Sequence, residues 1–232
     1  DITGDLDVDA GGALADGGNT IAVDGTGSFA TTGNGSNITL TGLDVGGVVD
    51  VNTAATSNAT LTNVGGVEFS ASATSTVNGD LTVTAGGDIT DASGATLVVT
   101  GLSDLTATGS NIVLGDNTDT TNFGSLNVAG TTVTITEDSS TELADVDATT
   151  LTLVSGGAIT QTGGLSVSGV ATLTAPGSSI TLGDGSNDFG TVTIGGTTTT
   201  SVTLADTNGL NLGGLDITGD LDVDAGGALA DG

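Results

Sequence analysis

The stretch LTVTAGGDI (81–89) combines the two features that decide the fold, alternating apolar residues and a pair of glycines. The same pattern, L-x-[VL]-x-[AS]-G-G-x-[IL], occurs as LDVDAGGAL (6–14 and 221–229) and as LTLVSGGAI (151–159). The first glycine of each pair stands at positions 11, 86, 156 and 226, so the steps are 75, 70 and 70 residues. The sequence is therefore a tandem repeat, and its fold must be one that tolerates repetition.

A longer period contains the shorter one. Residues 1–17, DITGDLDVDAGGALADG, return without change as residues 216–232, so a 215-residue super-repeat restarts at 216. Within it, diverged long repeats run approximately over 11–85, 86–155 and 156–225. A second motif, G-S-x-I-x-L, follows the same spacing at 35–40, 109–114 and 177–182. We therefore expect residues 1–232 to form a single solenoid segment of a longer array.

Short strands and tight turns account for nearly all of the sequence. Runs such as LTVT (81–84), VTIT (133–136) and SITL (179–182) alternate apolar and polar residues, which is the period of a β-strand. Gly-Gly, Asp-Gly and Asn-Gly pairs lie between the runs and favour turns. No apolar stripe with a helical period lasts two turns, so the sequence predicts an all-β fold with no helices.

Repetition without linkers favours a β-solenoid over a sandwich, because a sandwich needs a closed set of strands whereas a solenoid coil needs neighbours on both sides. Coils of roughly 20–25 residues would give about ten coils. Ladders of Leu, Val and Ile are expected to form the core, and Pro176 is expected at a corner. Four large side chains would fill the core at intervals: Phe29, Phe69, Phe123 and Phe189.

Composition excludes several classes of function. The chain has no Lys, Arg, His, Cys, Tyr or Trp, and its formal net charge is −28. Nucleic-acid binding needs cationic side chains, and membrane insertion needs a run of about 18 apolar residues, so neither is expected. Catalysis is not expected either, since Ser and Thr have no basic partner and the acidic turns recur instead of forming one unique carboxylate pair. No cofactor is required on this interpretation, and solvent cations must screen the charge.

Three acidic stretches are candidate Ca²⁺ sites, because Ca²⁺ is bound by carboxylate and carbonyl oxygens. The stretch GDLDVDAGG (4–12) places alternate carboxylates on one outer face, and the turns GDNTDTTNFG (115–124) and GDGSNDFG (183–190) each bring two together. Neither of the two turns matches an EF-hand loop or a calcium-binding nonapeptide. They are either solvated turns or Ca²⁺ sites, and the candidate ligands are Asp5, Asp7, Asp9, Asp116, Asp119, Asp184 and Asp188.

The segments AITQTGGLSVSG (158–169) and SITLGDGSNDFGTVTI (179–194) resemble repeats of large bacterial exoproteins of the filamentous-haemagglutinin type, which use two-partner or autotransporter secretion. The resemblance implies a right-handed parallel β-helix and export from a Gram-negative bacterium to the cell surface or beyond. It also implies a role as a surface fibre, adhesin or matrix component. No functional residue can be carried over from it.

The strict super-repeat shifts this interpretation towards a structural role. We expect a shaft segment of a giant extracellular fibre whose partners are further copies of the same repeat in one chain, or other copies of itself in end-to-end or lateral assembly. The alternative is an adhesin module that contacts glycans or neighbouring cells through the solenoid surface. The absence of Tyr and Trp argues against stacking on sugars.

Overall fold

The computed structural model describes residues 1–116 and 118–232, and for Thr197 it describes the backbone alone. These residues form two compact units, 1–124 and 125–232. In each unit short strands pair in parallel with strands of the neighbouring coil, and the described residues contain no helix. The chain is an all-β parallel β-solenoid of about 11 turns, which confirms the predicted fold class.

The first unit is built from strands of two to twelve residues. They are β1 (Leu6–Ala10), β2 (Leu14–Ala15), β3 (Ile21–Val23), β4 (Gly27–Thr31), β5 (Ile38–Val45), β6 (Val48–Asn52), β7 (Ala59–Asn63), β8 (Val67–Phe69), β9 (Thr74–Val77), β10 (Leu81–Ala85), β11 (Ile89–Asp91), β12 (Thr96–Ala107) and β13 (Ile112–Leu114). The strand β14 (Thr120–Glu137) begins in this unit and continues into the second.

The second unit contains longer strands, and the pairing between several of them shifts register part-way along the strand. They are β15 (Thr141–Ser155), β16 (Ile159–Gln161), β17 (Leu165–Thr174), β18 (Ile180–Leu182), β19 (Asp188–Thr199), β20 (Val202–Asp206), β21 (Leu210–Ile217), β22 (Leu221–Ala225) and β23 (Leu229–Asp231).

Apolar residues stack directly above one another to form the core of each unit. In the first unit Leu40, Leu61, Val83 and Leu105 occupy the same position in successive coils, and each is 0% exposed. In the second unit the corresponding ladder consists of Ile135, Leu153, Leu173 and Ile194. Each such side chain contributes about 2 kcal/mol by leaving water, and it does so only because a neighbouring coil covers it.

Polar residues occupy the alternate positions of the same strands and face outward. One column of the second unit consists of Thr134, Thr152, Thr172 and Thr193 in register. The β-branched Thr side chain suits a pleated surface, which explains why so many threonines alternate with Val and Leu. The period of two in the sequence therefore separates core from surface as predicted.

The glycine pairs of the repeated motif lie where two coils approach closely. A Cβ atom on Gly86 would lie 2.0 Å from the carbonyl oxygen of Val64 in the preceding coil, and one on Gly156 would lie 2.3 Å from that of Asp138. Any larger residue would force these backbones apart. The motif thus combines a strand that packs with a turn that no other residue fits.

The other core predictions are also confirmed. All four phenylalanines are buried, at 5% exposure or less. Pro176 lies in an exposed turn directly before Gly177, which has a φ of 71°. Some coils are shorter than the predicted 20 residues, since Leu126 lies beside Leu143, whereas Leu14 lies beside Ile38 after a longer coil. None of the described residues belongs to a helix that could cross a bilayer.

Candidate metal site

Three carboxylates meet in the first unit, at the end of β11. Asp91 is the last residue of β11, and Asp116 and Asp119 lie in the turn that follows β13 in the next coil. One carboxylate oxygen from each residue lies within 4.8 Å of the others. The pairing of Ile89 with Ile112 brings the ends of the two strands side by side and so places the turn against Asp91.

Hydrogen bonds fix two of these three carboxylates. The backbone N–H of Gly115 donates to Asp91 Oδ2 at 2.8 Å, and the backbone N–H of Gly94 donates to Asp119 Oδ1. The turn itself is closed by the N–H of Asp119, which donates to the carbonyl oxygen of Asp116 at 3.2 Å. Hydrogen bonds from both coils therefore hold the carboxylates of Asp91 and Asp119 close to each other.

The remaining oxygen of each fixed carboxylate is shielded from solvent. Asp91 Oδ1 and Asp119 Oδ2 are buried and accept no hydrogen bond from any described residue. A buried polar atom without a partner costs about 1–3 kcal/mol, and more when it is charged. No Lys, Arg or His exists anywhere in the chain to compensate for this charge.

The pKa of Asp91 is raised to about 6, mainly by burial and to a lesser extent by the charges of Asp119 and Asp116, while the hydrogen bond from Gly115 opposes the rise. Desolvation and like charge both favour the protonated acid. The site thus prefers either a proton or an external cation. Three carboxylates at this spacing are oxygen ligands of the kind that Ca²⁺ takes, and the neighbouring turn offers backbone carbonyls.

The internal repeat shows that Asp91 occupies a recurrent position. It lies five residues after Gly86, and Asp16 and Gln161 lie five residues after Gly11 and Gly156. Each of the three side chains accepts a hydrogen bond from the backbone of the next coil. The donors are the N–H of Gly42 to Asp16 Oδ2 at 2.6 Å, of Gly115 to Asp91 Oδ2 at 2.8 Å and of Asp184 to Gln161 Oε1 at 3.2 Å.

The second predicted acidic turn, 183–190, is built differently. Asp184 accepts hydrogen bonds from the N–H and hydroxyl of Ser186, which lower its pKa, and Asp188 accepts one from Asn208 Nδ2 at 2.8 Å. Between them Asn187 points inward and is 0% exposed. Asp184 and Asp188 do not join a group of three carboxylates among the described residues.

The acidic stretch of β1 does not converge either. Asp7 and Asp9 are exposed and alternate with half-buried neighbours, so they share an outer face as predicted. Asp5 accepts a hydrogen bond from the N–H of Thr26 at 2.8 Å and thereby fastens the next coil. These three residues do not form a candidate metal group within the described part of the chain.

The sequence therefore grouped two of these three carboxylates. Asp116 and Asp119 were predicted together, and the structure places them together. Asp91 was missed because it belongs to the preceding coil. Its position five residues after a glycine pair, at the end of a strand whose partner leads into the acidic turn, was the available signal. Asn117 of that turn lies outside the described residues.

The repeats match a known family model. Residues 56–129, 129–195 and 199–232 match the family described as "Repeats of unknown function (DUF5649)". The chain belongs to this family. No curated protein and no solved structure matches the chain. The DUF5649 repeats and the β-solenoid together define a repeat-containing β-helix protein.

Proposed function

We propose that this chain is a shaft segment of a giant fibre that is secreted or displayed on the surface of a Gram-negative bacterium. The observation that carries the proposal is the stacking of equivalent apolar residues, such as Leu61 on Val83 on Leu105, in coils that cover one another. A coil of this kind adds both backbone hydrogen bonds and an apolar layer, so length can grow by repetition without a new fold. The filamentous-haemagglutinin resemblance supports export.

The charge of the chain suits a fibre that stays apart from its neighbours. With 28 acidic residues and no Lys, Arg or His, any two shafts repel each other at low salt. Trypsin, which cleaves after Lys and Arg, has no site in the chain. Both properties favour an inert spacer outside the cell over a module that grips a partner by its surface.

Labelling of intact cells tests the location. Antibodies raised against residues 1–232 should label the exterior of unbroken cells of the source organism, and immunogold microscopy should place the label on filaments or in the surrounding matrix. Labelling that requires lysis of the cells would overturn the proposal.

A glycan array tests the role of the shaft against that of a binding module. The purified chain should bind no immobilised glycan more strongly than a heat-unfolded sample of the same chain does. Saturable binding to a defined glycan would overturn the shaft proposal in favour of an adhesin module, whether or not the antibodies label intact cells.

A further inference from the structure

The 17 residues that occur twice in the chain are seen in two different surroundings. As residues 1–17 they are followed by a coil, since Leu6 lies beside Gly27 and Leu14 beside Ile38. As residues 216–232 they are preceded by one, since Leu221 lies beside Val202 and Leu229 beside Leu210. The two copies therefore display the two opposite edges of one coil.

The two copies use different backbone groups. At the start of the chain, the N–H of Leu6 donates to Thr26 O at 2.8 Å, and Ala10 O accepts from the N–H of Thr32 at 2.9 Å. At the end, Asp220 O, which corresponds to Asp5 O, accepts from the N–H of Val202 at 2.8 Å. The N–H of Gly226, which corresponds to that of Gly11, donates to Asp206 O at 2.8 Å. A coil with neighbours on both sides would use all of these groups and none of them twice.

The glycines of the segment fit a preceding coil. A Cβ atom on Gly226 would lie 2.4 Å from the carbonyl oxygen of Thr207, and one on Gly227 would lie 3.0 Å from the nitrogen of Gly209. The same atom on Gly11 or Gly12 would meet nothing within 4 Å. These glycines are thus sterically required only in the copy that has a coil before it.

The apolar residues of the segment fit a following coil. Leu221 is 38% exposed and Leu229 is 54% exposed. Their equivalents in the interior repeat, Leu81 and Ile89, have coils on both sides and are 0% exposed. Covering Leu221 and Leu229 in the same way would remove their apolar surface from water.

We propose that residues 216–232 are a joint shared by successive copies of the 215-residue repeat in one chain, with residues 18–45 of the next copy packed on their open edge. The inference rests on the proposed function, because a shaft that grows by repetition needs such a joint. Leu221 would lie beside Gly27 and Leu229 beside Ile38 of the next copy, as Leu6 and Leu14 do at the start of this one. The carboxylate of Asp220 would accept the N–H of Thr26, as Asp5 does.

The occupant is a further copy in the same chain and not the free end of a separate chain. Stacking the last coil of one chain on the first coil of another would place two identical segments side by side, with Asp222 and Asp224 about 4.8 Å from Asp7 and Asp9. Like charges directly opposite each other on paired strands are unfavourable, and the chain has no cationic side chain to separate them. The shared joint avoids this contact because the segment occurs once between two copies.

Hydrogen exchange in a tandem protein tests the joint. The tandem consists of residues 1–215 followed directly by residues 1–232, and the single chain of 232 residues is its reference. The amides of Leu221 and Leu229 at the joint should exchange at least about 100-fold more slowly in the tandem, because they become interior groups. Equal exchange rates in the two proteins would overturn the proposal.

A pair of variants separates the joint from general stability. Asp220→Ala removes the acceptor for Thr26 of the next copy and should speed exchange of the Leu221 amide about tenfold in the tandem, with a smaller effect in the single chain. Asp222→Ala, an exposed residue of the same coil, should change neither protein. If Asp220→Ala acts equally in both proteins, the joint is wrong, while surface labelling of cells still decides the proposed function.

Discussion

Two acidic turns of this chain, 115–124 in the first unit and 183–190 in the second, have similar sequences. Carboxylates cluster at the first turn, whereas neutral amides meet at the second. In the first, Asp91, Asp116 and Asp119 converge, and two of their oxygens are buried without a partner. In the second, Gln161 replaces Asp91 and donates from Nε2 to Asn187 Oδ1 at 2.8 Å. The space between two coils thus holds three carboxylates in the first unit and a neutral hydrogen-bond network of Gln161 and Asn187 in the second.

The neutral network of the second unit is satisfied on every side. Asn187 Nδ2 donates to Leu182 O at 3.2 Å and Ala205 O at 3.1 Å, and its Oδ1 accepts from the N–H of Leu165 at 2.9 Å. An amide offers both donors and acceptors, whereas an ionised carboxylate only accepts. Gln161 and Asn187 therefore complete each other, and the carboxylates of the first unit cannot do so without a proton or a cation.

The largest effect is expected from breaking the neutral network. Asn187→Ala leaves the carbonyl oxygens of Leu182 and Ala205 and the N–H of Leu165 without their partner in a fully buried position. We expect the free energy of unfolding to fall by about 3 kcal/mol, measured by denaturant unfolding. Asn127→Ala, on the outward side of β14, is the control and should change it by less than about 0.5 kcal/mol. Equal losses in the two variants would contradict the importance of the network.

Addition of Ca²⁺ should stabilise the first turn alone. With an affinity in the range of weak extracellular sites, about 5 mM Ca²⁺ is expected to raise the free energy of unfolding by about 1–2 kcal/mol by mass action. The measurement is thermal and denaturant unfolding of the whole chain in Ca²⁺ and in chelator.

Two variants assign the Ca²⁺ effect to a turn. Asp119→Asn should reduce the stabilisation, whereas Asp188→Asn in the second turn should leave it unchanged. A transition midpoint that is the same in Ca²⁺ and in chelator would show that the three carboxylates are only a solvated acidic cluster.

Converting the first turn to the amide chemistry of the second should also stabilise it. Asp91→Asn removes a carboxylate whose pKa is raised to about 6. A raised pKa of an acid means that the folded state binds the proton more tightly than the unfolded state. The protonated Asp91 therefore contributes to stability below about pH 4, and this contribution is lost as the pH rises through about 6. Because the Asp91 carboxyl group is only half-buried, solvent screens part of its charge. We therefore expect Asp91→Asn to raise the free energy of unfolding by only about 1 kcal/mol at pH 7.5.

The pH dependence provides the control for this variant. Unfolding at pH 7.5 and at pH 4 in chelator should show that most of the advantage of Asp91→Asn disappears at the lower pH, where Asp91 is protonated in the folded state and about half protonated in the unfolded chain. An advantage that is the same at both pH values would mean that the substitution acts through packing and not through charge.

The sequence predicts the fold well because its information is local and repeated. The alternation in LTVT and the glycine pair at 86–87 recur, and each recurrence predicts the same strand and close turn. The site is harder to predict because its residues are adjacent only across coils. Asp91 and Asp116 are brought together by the register of Ile89 on Ile112, and coil lengths that vary along the chain hide this register in the sequence.

The smallest effect is expected at Asp184, the carboxylate that most resembles Asp116 in sequence. Its pKa is lowered by hydrogen bonds from the hydroxyl and N–H of Ser186, so it favours folding above the pKa of the unfolded chain and loses that effect as pH falls below about 4. The group is solvated, and its partners lie in the same turn, so Asp184→Ala leaves water free to replace the carboxylate. Denaturant unfolding at physiological salt should not distinguish Asp184→Ala from the unaltered chain, whereas a clear loss would show that the Asp184 carboxylate itself stabilises this turn.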